Sequence, residues 1–176
     1  YGDGGEATVV GYGPNSLARY ITTYFRQSFN VPDPSIYTAL SLQMIRDDGI
    51  VVHLNGTEIY RNNMPAGSIN YLTLAPIAIA NADETTFIRQ SGLPATGLVA
   101  GANTLAVEVH QVNAGSSDIV LSLELVLDGG TLPGATPGAP NNVTAPLGEF
   151  APLRLNEAVA VNTAELLRPL PALAPA

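Results

Sequence analysis

His53 and His110 are the only two imidazoles in the 176-residue chain, which contains no cysteine. Thiol catalysis, disulfides and thiolate metal sites are therefore excluded. Two histidines without an HExxH-type spacing do not make a transition-metal centre. Serine hydrolysis finds no G-x-S-x-G elbow and no third partner in a defined context. What remains is oxygen chemistry, carried by carboxylates in pairs: Asp3/Glu6, Asp47/Asp48 and Asp83/Glu84. Each pair falls on an expected loop. Paired loop carboxylates beside backbone carbonyls suit Ca²⁺, which takes about six to eight oxygen ligands, so Asp47, Asp48, Asp83 and Glu84 are candidate calcium ligands. The competing use of the same residues is turn chemistry, in which Asp hydrogen-bonds its own backbone. The GDGG run at 2–5 is no phosphate cradle, because neither a strand-to-helix context nor a P-loop lysine follows it.

Glycan recognition needs an exposed aromatic face with polar partners. There is no Trp, and of the seven Tyr the more loop-like are Tyr12, Tyr37 and Tyr71, the candidate sugar-stacking residues. Packing is the competing use of each. Asn55-Gly-Thr and Asn142-Val-Thr match the N-glycosylation acceptor pattern, the first inside a tight turn. His53 is expected to face Glu58 across a hairpin as a structural cross-strand pair.

The elements that position these residues are strands. Asn55-Gly56 between β-branched runs is a strong hairpin signal, since a type I′ turn needs φ > 0 at both positions. The register this implies pairs Leu54 with Thr57, His53 with Glu58, Val52 with Ile59 and Val51 with Tyr60. Apolar residues on both faces place the hairpin centrally in a two-layer sandwich. Before it, 7–10 reads as an edge strand, 20–29 as a long strand with Ile21, Phe25 and Phe29 on one face, and 36–45 as a strand with Leu40, Leu42 and Met44 inward. After it, 71–80 reads as an edge strand limited by Pro76, and 85–90 as another. The alternating runs 104–112 and 119–127 read as an antiparallel pair joined by the polar loop 113–118. About eight short strands without helical periodicity predict an all-β, antiparallel jelly-roll β-sandwich.

DDGIVVHLNGTEIYRNNMPAG at 47–67, DETTF at 83–87 and LVAGANTLAVEVHQ at 98–111 carry a family resemblance. Over residues 1–127 the chain resembles the galactose-binding-like jelly-roll modules of bacterial secreted multidomain proteins, which sit beside phosphoesterase, glycosidase and lamin-tail-like domains. The resemblance implies binding or packing roles and carries over no catalytic residue. It also places YGDG inside the module, so the opening strand is expected to be missing, and a start without Met reads as a mature or excised piece.

The balance of charge narrows the partners. With seven Arg, no Lys and a net charge of −8, the chain lacks the clustered cations of a nucleic-acid or anionic-membrane binder. No apolar run approaches the roughly 18 residues of a membrane span, so no membrane insertion is expected. Residues 128–146, with four Pro in nineteen positions, read as a Gly/Pro-rich linker, and 147–176 as a C-terminal strand and an apolar, Pro-rich tail. A sandwich short of one strand leaves unpaired backbone groups that recruit another strand. This makes Phe150, Leu153, Leu155 and Val159 candidate assembly residues. The expected function is thus that of a non-catalytic module, extracellular or on the cell surface, that joins other copies of itself into a polymer or filament. The alternative is a glycan-binding accessory module of a secreted hydrolase.

Overall fold

A computed structural model describes residues 8–129 and the backbone of 153–155. The strands are β1 (Thr22–Val31), β2 (Tyr37–Arg46), β3 (Gly49–Leu54), β4 (Thr57–Asn62), β5 (Ile88–Pro94), β6 (Gly101–His110), β7 (Leu121–Gly129) and the short β8 (Leu153–Leu155). They form two antiparallel four-stranded sheets, ordered β1-β6-β3-β4 and β5-β2-β7-β8. The fold is an all-β antiparallel sandwich.

Alternation explains why these residues make this core. Side chains in a strand point to opposite faces in turn, so every second position of a half-buried strand is apolar. Leu40, Leu42 and Met44 of β2 and Leu123 and Leu125 of β7 meet Ile50, Val52 and Leu54 of β3 and Leu105, Val107 and Val109 of β6 between the sheets. Phe25 and Val31 of β1 close one side of this core, and Val10 packs against it from a segment that is not a strand.

The hairpin turn is as expected, with Asn55 at φ 50° and Gly56 at φ 84°. The register departs from expectation after two pairs. Leu54 pairs with Thr57 and His53 with Glu58, but Val52 then pairs with Tyr60 and Val51 with Arg61. Ile59 is the extra residue of a β-bulge, which lets both Ile59 and Tyr60 rest on the core.

Three other expectations are corrected. The runs 104–112 and 119–127 do not pair with each other: β6 lies between β1 and β3, whereas β7 lies beside β2 in the other sheet. The chain changes sheets between them, because Gln111 N–H still bonds Ile21 while Val120 already accepts from Asp47 N–H. Residues 71–80 form no strand: Thr73 N–H closes a turn on Asn70, Ile79 N–H bonds the Asp48 carboxylate, and Ala75 N–H makes one isolated backbone bond to Gln111 rather than a ladder. The strand expected at 85–90 is β5, which begins at Ile88 and runs on to Pro94 after a 3₁₀ turn at Asn81–Glu84. As an edge strand, β5 tolerates Pro94 at its end.

At the C-terminal side, Asp128 and Gly129 belong to β7 rather than to a linker. β8 runs antiparallel to β7 of the same chain, with Leu125 opposite Leu153, Glu124 opposite Arg154 and Leu123 opposite Leu155. Of the C-terminal strand expected within 147–176, the described part is these three residues, on the chain's own sheet. Phe150, Val159 and the tail lie outside the described residues.

Candidate functional site

The two ends of the sandwich are built differently. At one end lie the starts of β1, β3 and β7 and the finishes of β2 and β6. An irregular strap, residues 63–80, crosses the outer face of the first sheet here. It can lie close because Gly49 has no side chain: a Cβ there would come within 2.5 Å of Met64 Sδ and 2.6 Å of the Asn63 carbonyl. Asp48 is the main clamp. Its Oδ1 accepts from Ile79 N–H (2.6 Å) and its Oδ2 from Val112 N–H (2.7 Å), joining the strap to the end of β6. Asn63 donates to the Ile77 carbonyl (2.6 Å), Ala75 N–H to Gln111 (3.0 Å) and Thr22 Oγ1 to Tyr71 (2.9 Å). His110, fully buried beneath the strap, has Nδ1 2.8 Å from the Thr73 carbonyl and 3.0 Å from Thr22 Oγ1. Its Nε2 lies 3.2 Å from Glu108 Oε2, so both ring nitrogens face oxygens.

The carboxylates at this end do structural work. Asp47 is buried, and its carboxyl is pushed up from 3.8 to about 8, first by burial, then by its hydrogen bond to Asp48 and the charges of Asp48, Asp118 and Glu84. Asp83 is exposed on the 3₁₀ turn. Among the described residues no three His, Asp or Glu side chains are gathered to hold a metal. Both Asp48 oxygens accept from N–H donors, and Asp47, buried beside it, is held toward its protonated form by burial and by the charges of Asp48, Asp118 and Glu84.

This arrangement has a pH signature. The folded state favours protonated Asp47, so stability is greatest below about pH 4 as far as this group is concerned. It falls as pH rises from about 4 to about 8, by no more than about 1.4 kcal/mol per pH unit, and then levels off. Asp47→Asn should flatten that slope in urea melts across the window. Equal slopes for parent and variant would refute the assignment.

The three candidate tyrosines are divided between the ends. Tyr12 and Tyr71, 38% and 64% exposed, lie at the strap end, with Arg19 5.4 Å over the Tyr12 ring. Tyr37 stands at the opposite end, at the start of β2. There it lines a shallow, open cleft of about 320 Å³. Pro34, Ser35, Tyr37 and Thr38 make one wall, and Ala95, Thr96 and Leu98 the other.

Each wall is fixed locally. Asp33 caps the 3₁₀ turn Pro34–Ile36, its Oδ1 accepting from Ser35 N–H (2.9 Å) and Ser35 Oγ (2.6 Å), which holds the carboxyl below its ordinary range. Pro34 presets the first φ of that turn. The second wall, the 3₁₀ turn Ala95–Gly97, sits on Leu54, where a Cβ on Gly97 would meet the leucine at 3.2 Å. Asn55 Nδ2 donates to the Gly97 carbonyl and to Asn103 Oδ1, both at 2.8 Å. The hairpin turn therefore steadies the cleft. The same bonds occupy the amide nitrogen of the Asn55-Gly-Thr acceptor pattern. Asn142 lies outside the described residues.

The remaining histidine is held as expected in register but not in contact. His53 stands opposite Glu58, yet the carboxylate within ion-pair distance is Glu108, at 3.9 Å, because Glu58 is gripped by Arg61.

Of the residues lining this cleft, the sequence singled out Tyr37 and not Ser35, Thr38 or Thr96. The Asp33-Pro34-Ser35 cap was the available signal for that wall. Nothing local announced the second wall, which folding brings from about sixty residues away.

No model of a known family matches the sequence, and no curated protein matches it. Solved structures give partial likenesses to three glycosidases. An α-L-rhamnosidase from Streptomyces avermitilis, complexed with L-rhamnose, is 21% identical over 68% of this chain and 10% of its own, with a TM-score of 0.43. An α-L-rhamnosidase from Dictyoglomus thermophilum is 13% identical over 64% of this chain and 12% of its own, with a TM-score of 0.41. A β-D-mannosidase from the same organism is 19% identical over 49% of this chain and 8% of its own, with a TM-score of 0.32. The matched region spans about a tenth of each of those chains.

Proposed function

We propose that this sandwich is a non-catalytic carbohydrate-binding module, accessory to an extracellular hydrolase, and that the Tyr37 cleft is its binding face. The observation that carries the reading is the cleft itself. It is an open depression lined by Tyr37, which also packs in part against the core, by the hydroxyl side chains of Ser35, Thr38 and Thr96 and by apolar Pro34, Ala95 and Leu98, on two braced turns. At about 320 Å³ it lies at the small end of ligand pockets, which span roughly 300–1,000 Å³, and so suits a short saccharide segment. A Tyr ring offers a flat apolar face to a sugar and a hydroxyl at its tip. The family resemblance of residues 1–127 agrees with such a role beside a glycosidase domain.

The polymer reading is less well supported. Strand addition between copies needs the donated segment and an open edge. In this chain Leu153–Leu155 lies on its own β7, so the edge beside β7 is occupied within one molecule.

Titration with neutral oligosaccharides tests the proposal. Tyr37→Ala should weaken binding roughly 10–100-fold, the loss expected of a central aromatic anchor. Tyr71→Ala, at the opposite end, should leave it within about twofold. Loss of binding with Tyr71→Ala alone would move the site to the strap end and overturn the assignment to the cleft.

A further inference from the structure

The charges around the cleft narrow the class of saccharide, an inference that rests on the cleft being a carbohydrate site. We infer that it takes neutral saccharides and discriminates against those bearing carboxylates. The lining offers hydroxyls from Ser35, Thr38, Thr96 and Tyr37 and no charged side chain at all. The carboxylates beside it have the same sign as an acidic sugar. Asp33 is exposed next to Ser35, and its hydrogen bonds from that residue keep it ionised. Asp128 lies behind Thr38, accepting from Ser41 Oγ through its carboxylate and from Thr38 Oγ1 (3.5 Å) through its carbonyl.

Among the described side chains the cations are elsewhere. Arg19 and Arg46 belong to the strap end, where Arg46 donates to Asn62 Oδ1 (3.0 and 2.6 Å). Arg61 is taken up by Glu58 and by the carbonyls of Pro65 and Gly67. Arg26 and Arg89 stand within β1 and β5, opposite Ala106 and Gln43. No Lys exists to be recruited, and the net charge of −8 adds a field of the same sign. A uronate carboxylate in the cleft therefore meets repulsion and, among the described side chains, no ion-pair partner, whereas a neutral sugar can donate its hydroxyl hydrogens to Ser35 and Thr38, whose own protons are already given to Asp33 and Asp128.

Xylo- and manno-oligosaccharides titrated against oligogalacturonates of equal length, on the whole chain, test this. A like charge at contact distance in water costs about fivefold in affinity. The oligogalacturonate should therefore bind at least about fivefold more weakly at low salt, with the gap narrowing at high salt as the repulsion is screened. Asp33→Asn keeps an oxygen to cap the turn, and should close part of the gap without altering neutral binding. Thr96→Lys, on the exposed wall, should favour the acidic ligand. Equal or tighter oligogalacturonate binding by the parent protein would overturn the inference while leaving the carbohydrate reading intact. Binding of neither class would overturn both.

Discussion

Asp48→Ala should destabilise the sandwich by about 2–4 kcal/mol and release the strap. Asp48 is 1% exposed, and each of its carboxylate oxygens serves a backbone N–H from a different segment, Ile79 on the strap and Val112 after β6. A buried or half-buried donor that loses its acceptor costs about 1–3 kcal/mol. Alanine leaves two such donors at once, and water can reach them only if the strap lifts. The strap keeps other anchors through Asn63, Thr22, Gln111, His110 and Arg61, but none of them serves Ile79 N–H or Val112 N–H. Amide exchange at Ile79 and Val112 should therefore accelerate well beyond the global change measured in urea. The variant should also lose part of the pH dependence, because Asp48 supplies both the hydrogen bond and the nearest charge that raise Asp47. Stability within about 0.5 kcal/mol of the parent, with unaltered exchange at both amides, would show that Asp48 is not a clamp.

Leu123→Ala should cost about 2–5 kcal/mol, the range for deleting three buried carbons from a core that relaxes only partly. Leu123 is 1% exposed in β7, opposite Met44 of β2 on one side and Leu155 of β8 on the other. The expected loss is large because the site lies between neighbours in its own sheet and beneath the facing sheet, with little freedom to collapse. Leu17→Ala is the control, since Leu17 is 86% exposed. Its effect should stay within about 0.5 kcal/mol. Both are read from urea midpoints with the m-value held fixed. A shift under about 1 kcal/mol for Leu123→Ala would contradict the placement of β7 against the core.

The inward face of each strand was legible because alternation is a local property. Leu40, Leu42 and Met44, or Leu105, Val107 and Val109, declare one buried face whatever strand lies beside them. The Asn55-Gly56 turn was equally legible, since its two positive φ angles are a demand on residue type. Which strands are neighbours is another matter. The runs 104–112 and 119–127 alternate just as well whether they pair with each other or join opposite sheets, and only the connection through Gln111 and Val120 decides it. The bulge at Ile59 was hidden for a similar reason: Ile and Tyr are both apolar enough to face the core, so the pattern of β4 does not reveal the extra residue.

The same division holds for the site. Composition by itself excluded thiol and thiolate-metal chemistry, and residue type singled out Tyr37, Tyr12 and Tyr71 as the aromatic candidates. Tertiary structure put Tyr37 in a cleft and the other two at the far end, because β2 starts where β1 and β6 meet their loops. It also buried Asp47 and Asp48 and gave both Asp48 oxygens to backbone N–H groups. Sequence shows that two carboxylates are adjacent. Whether they face solvent depends on a strap that crosses them some thirty residues later, and a long-range contact of that kind is set by how whole sheets pack rather than by any local preference.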